Sequence, residues 1–152
     1  MSEREGVLVA VSTSLNKGTR KRNRASVEAR AEWGIRGDSH AGKWHRQVSL
    51  LAEESIEKMR ALGLDVKAGD FAENLTTRGI DVPGLRIGDR LFVGQVVLEV
   101  TQVGKECHSR CAIFEQAGDC VMPREGVFAR VVTGGRMRPG DPIRLPAKPE
   151  ER

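Results

Sequence analysis

Along most of the chain, apolar residues come in short, often β-branched runs broken by glycine and charge, which is the pattern of strands and turns rather than helices. Gly6 to Ser14 has no helical period and reads as a buried strand, whereas Val27 to Trp33 alternates apolar with charged residues as a half-buried strand does. Gln47 to Leu51 is a third strand. Arg90 to Val93, a Gly94-Gln95 turn and Val96 to Val103 form a hairpin rich in strand formers. Gly126 to Thr133 follows, then a turn at Gly134-Gly135 and a last turn and strand from Met137 to Leu145. Only one segment carries a clear helical period: Ala52, Ile56, Met59 and Leu62 share a face, Glu53 and Glu54 crowd the first turn, and Gly63 stops it. Met59 reads as core filler. With a shorter helical segment over Ala112 to Ala117, the pattern predicts a mainly β fold, a closed or nearly closed β-barrel with a few short helices. No repeat or linker interrupts it, so residues 1–147 are expected to form one domain and 148–152 a solvated tail.

At 152 residues and 39% hydrophobic, the chain can bury a core without staples. Four Phe, two Trp and no Tyr leave it without the stacking platform of a single-stranded nucleic-acid binder, and a nucleic-acid partner is not expected. The net charge of +4 comes from 25 basic and 21 acidic residues interleaved over most of the chain, an ordinary solvated surface with room for an anionic ligand. Three cysteines, an odd number, and no apolar leader after Met1 predict reduced thiols in a soluble, cytoplasmic protein. No run approaches the roughly 18 apolar residues of a membrane span. Neither a GxGxxG fingerprint nor a Walker-type lysine motif is present, which removes dinucleotide and P-loop functions.

The chemistry concentrates between Gly104 and Val121, which holds all three cysteines. Cys107 and Cys111 stand with Lys105, His108 and Arg110 where a strand gives way to the short helical segment, and neighbouring cations and a helix start both favour a thiolate. Sulfur relay, acyl transfer and metal coordination all remain open on spacing alone. Zinc held by Cys107, His108, Cys111 and Cys120 competes, but separate ligand pairs are missing, and Cys120 reads as packing. In the glycine-rich stretch Gly34 to Gly42, Asp38 and His40 form with His45 either a metal or acid/base cluster or a set of turn caps. Glu73 and Asn74 either bind a ligand or tie down their loop. Lys17 to Arg24 has five basic residues in eight, as a phosphate or acidic-partner contact or a solvated hairpin loop would.

Taken together, GIRGDSHAG with HRQVSLL and AEESIEKM, GDFAENLTTRGID, IGDRLFVG with LEVTQVGKECHSRCAIF, and MPREGVFARVVTGG resemble a stand-alone member of the MOSC domain family, named for the C-terminal part of molybdenum cofactor sulfurases. The resemblance implies a strand-rich barrel related to the β-barrel domain of pyruvate kinase, with molybdenum cofactor (molybdopterin) as ligand. It puts the family's characteristic cysteine on Cys111, as molybdenum ligand or sulfur carrier, with Cys107 and His108 assisting. The Cys107 to Cys111 spacing is one residue longer than the CxxC of some relatives. The resemblance also raises Asp38, His40, Glu73, Asn74, Thr76, Arg110 and Arg124 as residues shaping the cofactor pocket. The implied activity is that of a sulfurtransferase or a partner-dependent molybdenum reductase component, relying on a sulfur donor or electron donor protein. A non-catalytic carrier delivering the cofactor to a molybdoenzyme is the alternative.

Overall fold

The computed structural model describes residues 4–17, 19–104 and 125–146. The short helix expected over 112–117 and the tail expected at 148–152 lie outside the described residues.

Among the described residues, eleven strands and one complete α-helix follow in order: β1 (Arg4–Thr13), β2 (Arg22–Arg24), β3 (Val27–Arg30), β4 (Gly34–Ile35), β5 (Val48–Ala52), α1 (Glu53–Ala61), β6 (Leu75–Arg78), β7 (Arg90–Val93), β8 (Val96–Val103), β9 (Val127–Thr133), β10 (Gly135–Met137) and β11 (Pro142–Leu145). A 3-10 turn, Val82–Gly84, lies between β6 and β7. Strands β1, β11, β7, β8, β9, β5 and β6 pair in that order, and β6 pairs back onto β1, so the sheet closes into a seven-stranded barrel. All pairings in the ring are antiparallel except β5 with β6, which run parallel with α1 in the connection between them. A second, three-stranded sheet of β10, β3 and β4 stands beside it.

Alternation along each strand decides what fills the barrel. Leu8, Val11, Val48, Leu50, Leu75, Val100, Val127 and Ala129 belong to the inner cluster, each at most 1% exposed. Their neighbours point the other way. Leu51 of β5 and Phe128 of β9 face outward, where Ile56 and Met59 of α1, with Val66 and Phe71, cover them as a second apolar cluster. The helix begins one residue later than its pattern suggested, because Ala52 completes β5. Leu62 is 74% exposed and lies past the helix end, so the covering face is Ile56 and Met59 alone. No helix among the described residues is long and apolar enough to cross a membrane.

Two local departures from the sequence pattern matter for the site. The basic run from Lys17 to Arg24 is not merely a solvated loop: its end forms β2 on β1, pairing Thr13 with Arg22 and Val11 with Arg24, and Lys21 is 2% exposed. Gly135 is strand rather than turn, because β10 pairs with β3.

Candidate functional site

Two layers of side chains lie on the outside of the barrel near the register row that joins Gln102 of β8, Phe128 of β9, Ser49 of β5 and, just before β6, Asn74. The inner layer is polar and buried. Asn74 donates through Nδ2 to the Ser12 carbonyl at 3.0 Å, and its Oδ1 accepts from the Ser49 amide at 3.0 Å and the Ser49 hydroxyl at 3.1 Å. Beside it, the Glu73 carboxylate accepts from the amides of Gly69 (2.8 Å) and Phe71 (3.2 Å) and from the Thr76 hydroxyl (2.8 Å). Glu73, Asn74 and Thr76 are all 0% exposed, so in this arrangement their polar atoms tie the loop before β6 to β1 and β5. Burial pushes the Glu73 carboxyl up to about 7, against the lowering effect of the Gly69 and Thr76 hydrogen bonds.

Gly69 links this cluster to the next. Its carbonyl accepts from the Lys21 amide at 2.8 Å, its φ is +91°, and a Cβ there would stand 2.4 Å from the Lys21 carbonyl oxygen. Gly69→Ala is therefore expected to cost about 1–3 kcal/mol of stability, since both the left-handed backbone and the close approach exclude a side chain. Urea unfolding checks this; a loss near zero would mean the loop relaxes freely.

Lys21 then closes a buried charge cluster. Its ammonium donates to Asp38 Oδ1 at 2.8 Å and to the Ser14 hydroxyl at 3.1 Å, and both charged side chains are 0% exposed. The same carboxylate accepts from the Ser14 amide at 3.0 Å and the His40 amide at 3.0 Å, and its Oδ2 lies 3.6 Å from His40 Nδ1. Burial alone would raise the Asp38 carboxyl, but the hydrogen bonds of His40 and the Lys21 ammonium outweigh it and hold it well below the usual carboxylate range. Asp38 is thus an anion whose charge is met inside the fold.

The outer layer is aromatic and cationic. His40 stacks on Trp44 at 6.4 Å between centroids and leans on Phe128 at 6.3 Å. The Lys17 ammonium lies 4.5 Å from the Trp44 ring centre and the Arg46 guanidinium 5.3 Å from that of Phe128. Arg46 Nε also donates to Gln102 Oε1 at 2.8 Å. Because Arg can only donate, that Gln102 atom is the acceptor, and His45 Nε2, 2.9 Å from it, must carry a proton. The Thr101 hydroxyl donates to the His45 carbonyl, which fastens the loop to β8.

Of the residues singled out in the sequence, Asp38 meets His40, while Glu73, Asn74 and Thr76 form their own cluster joined to the first through Gly69 and Lys21. Asp38, His40 and His45 do not assemble a cation site: among the described residues no three His, Cys, Asp or Glu side chains are placed to hold a metal ion. Cys107, His108, Arg110, Cys111, Cys120 and Arg124 lie outside the described residues. What is described is where their segment is anchored. Gly104, the residue after β8, donates to the Gly126 carbonyl at 2.8 Å, and its own carbonyl accepts from Gln102 Nε2 at 2.8 Å. At the returning end the Glu125 carboxylate accepts from Ser55 at 2.5 Å and Lys58 at 3.0 Å, both on α1. Sequence reasoning singled out Lys21 only as one of the basic run from Lys17 to Arg24, and it passed over Trp44, Arg46, Gln102 and Phe128. Only Trp44, an aromatic ring inside a glycine-rich polar stretch, carried a local signal.

The described fold is a closed barrel whose 104–126 connection starts and ends beside Gln102, and the comparisons identify the class of protein it belongs to. The MOSC domain family model matches residues 37–144, more than two thirds of the chain. The chain belongs to the MOSC domain family, which is generally associated with molybdenum cofactor binding. Among solved structures it is similar to the YUAD protein from Bacillus subtilis (15% identity, TM-score 0.79), covering 95% of this chain and 97% of that one. It is also similar to YiiM from Escherichia coli (18% identity, TM-score 0.68, covering 97% and 72%) and to YiiM from Geobacillus stearothermophilus (19% identity, TM-score 0.64, covering 93% and 73%). At these identities the likeness is one of fold. No curated protein sequence matches the chain.

Proposed function

We propose that this chain binds molybdenum cofactor on the outer face of β5, β8 and β9, with the Cys111 thiolate ligating molybdenum or carrying sulfur to it. The observation that carries the reading is the anchoring of the cysteine segment: both its ends, Gly104 and Gly126, are bonded to each other next to Gln102, and Gln102 in turn holds His45 and Arg46. The donor set there suits the ligand. Arg46 and Lys17 supply positive charge for an anionic phosphate, and Trp44, 36% exposed and backed by the buried His40 and Phe128 rings, offers a flat surface for a pterin. When bound, the cofactor supplies a metal that changes oxidation state. The chain's part is to bind, orient and handle protons.

In this reading Cys107 and His108 assist Cys111, and Arg110 and Arg124 add charge to the pocket. His40 forms part of the pocket wall, with Asp38 Oδ2 3.6 Å behind its Nδ1. Lys21, Glu73, Asn74 and Thr76 frame the pocket from below. A sulfur donor or electron donor protein completes the chemistry.

The test is to purify the chain, its Cys111→Ser variant and its Cys107→Ser variant from cells that make the cofactor, then measure molybdenum, pterin and labile persulfide. Stoichiometric molybdenum lost only with Cys111→Ser supports ligation, and persulfide lost only with that variant supports sulfur relay. Pterin retained by every form, with no molybdenum or persulfide that depends on Cys111, replaces this reading with that of a cofactor carrier. Finding none of the three in any sample overturns cofactor binding altogether.

A further inference from the structure

At the end of β8 opposite Gly104, the barrel carries a second cationic hollow that the proposed function does not use. It has a volume of about 340 Å3 and is lined by Gly94, Gln95, Arg136, Arg138 and Asp141. The β7–β8 turn forms one wall and β10 with the turn after it forms the other, at the opposite end of β8 from Gly104. Val96 and Val103 bound β8, so the two sites are separated by roughly 23 Å at about 3.3 Å per residue.

We propose that this hollow binds phosphate monoesters. Arg136 and Arg138 stand two residues apart on an extended segment, so both side chains leave the same face, while Met137 between them is 0% exposed in the core. The exposed ends of two forks are thereby presented to one space. No ion pair or side-chain hydrogen bond with a described residue engages either guanidinium. Glu28, the register partner of Arg136, instead lies 3.5 Å from Arg36. The one acid in the hollow, Asp141, accepts from the Arg138 amide at 2.9 Å, which leaves the pair of arginines in excess.

The walls are rigid. Gly94 donates to the Pro142 carbonyl at 3.2 Å, Gly140 to the Leu8 carbonyl at 2.7 Å, and Leu8 to the Asp141 carbonyl at 2.9 Å. These bonds fix the backbone of both walls, so a ligand there would have to order only the exposed side chains of Arg136, Arg138 and Gln95. Donors come from two sides, the arginine forks on one wall and the Gln95 amide on the other. A tetrahedral dianion can accept from both directions at once, whereas a planar carboxylate accepts within its plane. The volume lies at the lower end of ligand pockets, about 300–1,000 Å3, and so fits a small phosphorylated molecule rather than a nucleotide chain.

The experiment is an amide chemical-shift titration of the full chain with inorganic phosphate, glycerol phosphate and malonate at fixed ionic strength. Saturable shifts confined to Gly94, Gln95 and 136–141 are expected with both phosphates, with malonate at least tenfold weaker. Arg136→Gln/Arg138→Gln should weaken phosphate binding by tenfold or more while leaving the melting temperature within about 1 °C, because both side chains are exposed. If that variant fails to fold, Arg136→Lys/Arg138→Lys keeps the charge but loses the forks and should weaken binding three- to tenfold. The proposal is overturned by the absence of saturation at about 10 mM phosphate, by malonate binding as tightly as phosphate, or by unchanged affinity in the variants. Cofactor content of the purified chain is independent of all these outcomes.

Discussion

Lys21→Met is expected to lower folding stability by about 3–5 kcal/mol, the range for breaking one side of a buried ion pair. Methionine matches the length of the lysine stem, so the loss comes from charge rather than from a cavity. Without the ammonium, Asp38 keeps the amides of Ser14 and His40 but loses its only described cationic partner at hydrogen-bond distance, in a place where its side chain is 0% exposed. An uncompensated buried carboxylate is costly, and the fold must either protonate it or open. For a chain of this size the loss corresponds to a fall in melting temperature of roughly 6–20 °C. Two comparisons make the test specific. Arg36→Gln, which breaks the exposed Arg36 pair with Glu28 at 3.5 Å, should cost no more than about 1 kcal/mol. Lys21→Met/Asp38→Asn should recover most of the loss, because the orphaned charge is gone. If Lys21→Met costs no more than Arg36→Gln, or if the double variant is as unstable as the sum of its parts, the cluster is not the charged pair described.

That cluster also marks where sequence reasoning stops. Strands such as β7, β8 and β9 were legible because alternation and a Gly94-Gln95 turn are local signals, and together they suggested a barrel. The closure of β1 on β11 is not local, since it joins Arg4 to Leu145 across nearly the whole chain. The helix was legible in kind but not in extent, because Leu62 fits its period and yet lies beyond the last turn. Lys21 could not be told from the four other basic residues of its run: which lysine is buried depends on Asp38 and Gly69 arriving from distant segments. Glu73 and Asn74 stood between ligand binding and loop tying, and the structure gives them backbone partners together with the hydroxyls of Thr76 and Ser49. Phe128 looked like one more strand residue. Its role as a platform for His40 and Arg46 exists only once the 38–46 loop folds over β9.

Glu73 supplies the second large effect, and it is one of pH. In the unfolded chain its carboxyl titrates near 4.5, and in the folded chain near 7, because burial disfavours the anion. Between these values the folded state holds a proton that the unfolded state has released, so stability falls as pH rises. Below about 4.5 both states are protonated and the group contributes no difference; above about 7 both are ionised and the cost is complete. Over about 2.5 pH units at about 1.4 kcal/mol each, that cost is on the order of 3 kcal/mol. The protonated form has a natural partner, since the Thr76 hydroxyl at 2.8 Å can turn to accept instead of donate. The measurement is urea unfolding of the wild type and Glu73→Gln between pH 5 and pH 8. Other titrating groups are shared by both chains and cancel in the difference. Glutamine keeps one acceptor oxygen for Gly69 and Thr76 but sets an amide group against the Phe71 N–H, so the variant starts out less stable at pH 5. Its deficit should then shrink by about 3 kcal/mol by pH 8, because only the wild type bears the cost of a buried anion. A deficit that stays constant across the range would mean that the three donors around Glu73 already keep it ionised, and that the loop before β6 is built on a carboxylate rather than a carboxylic acid.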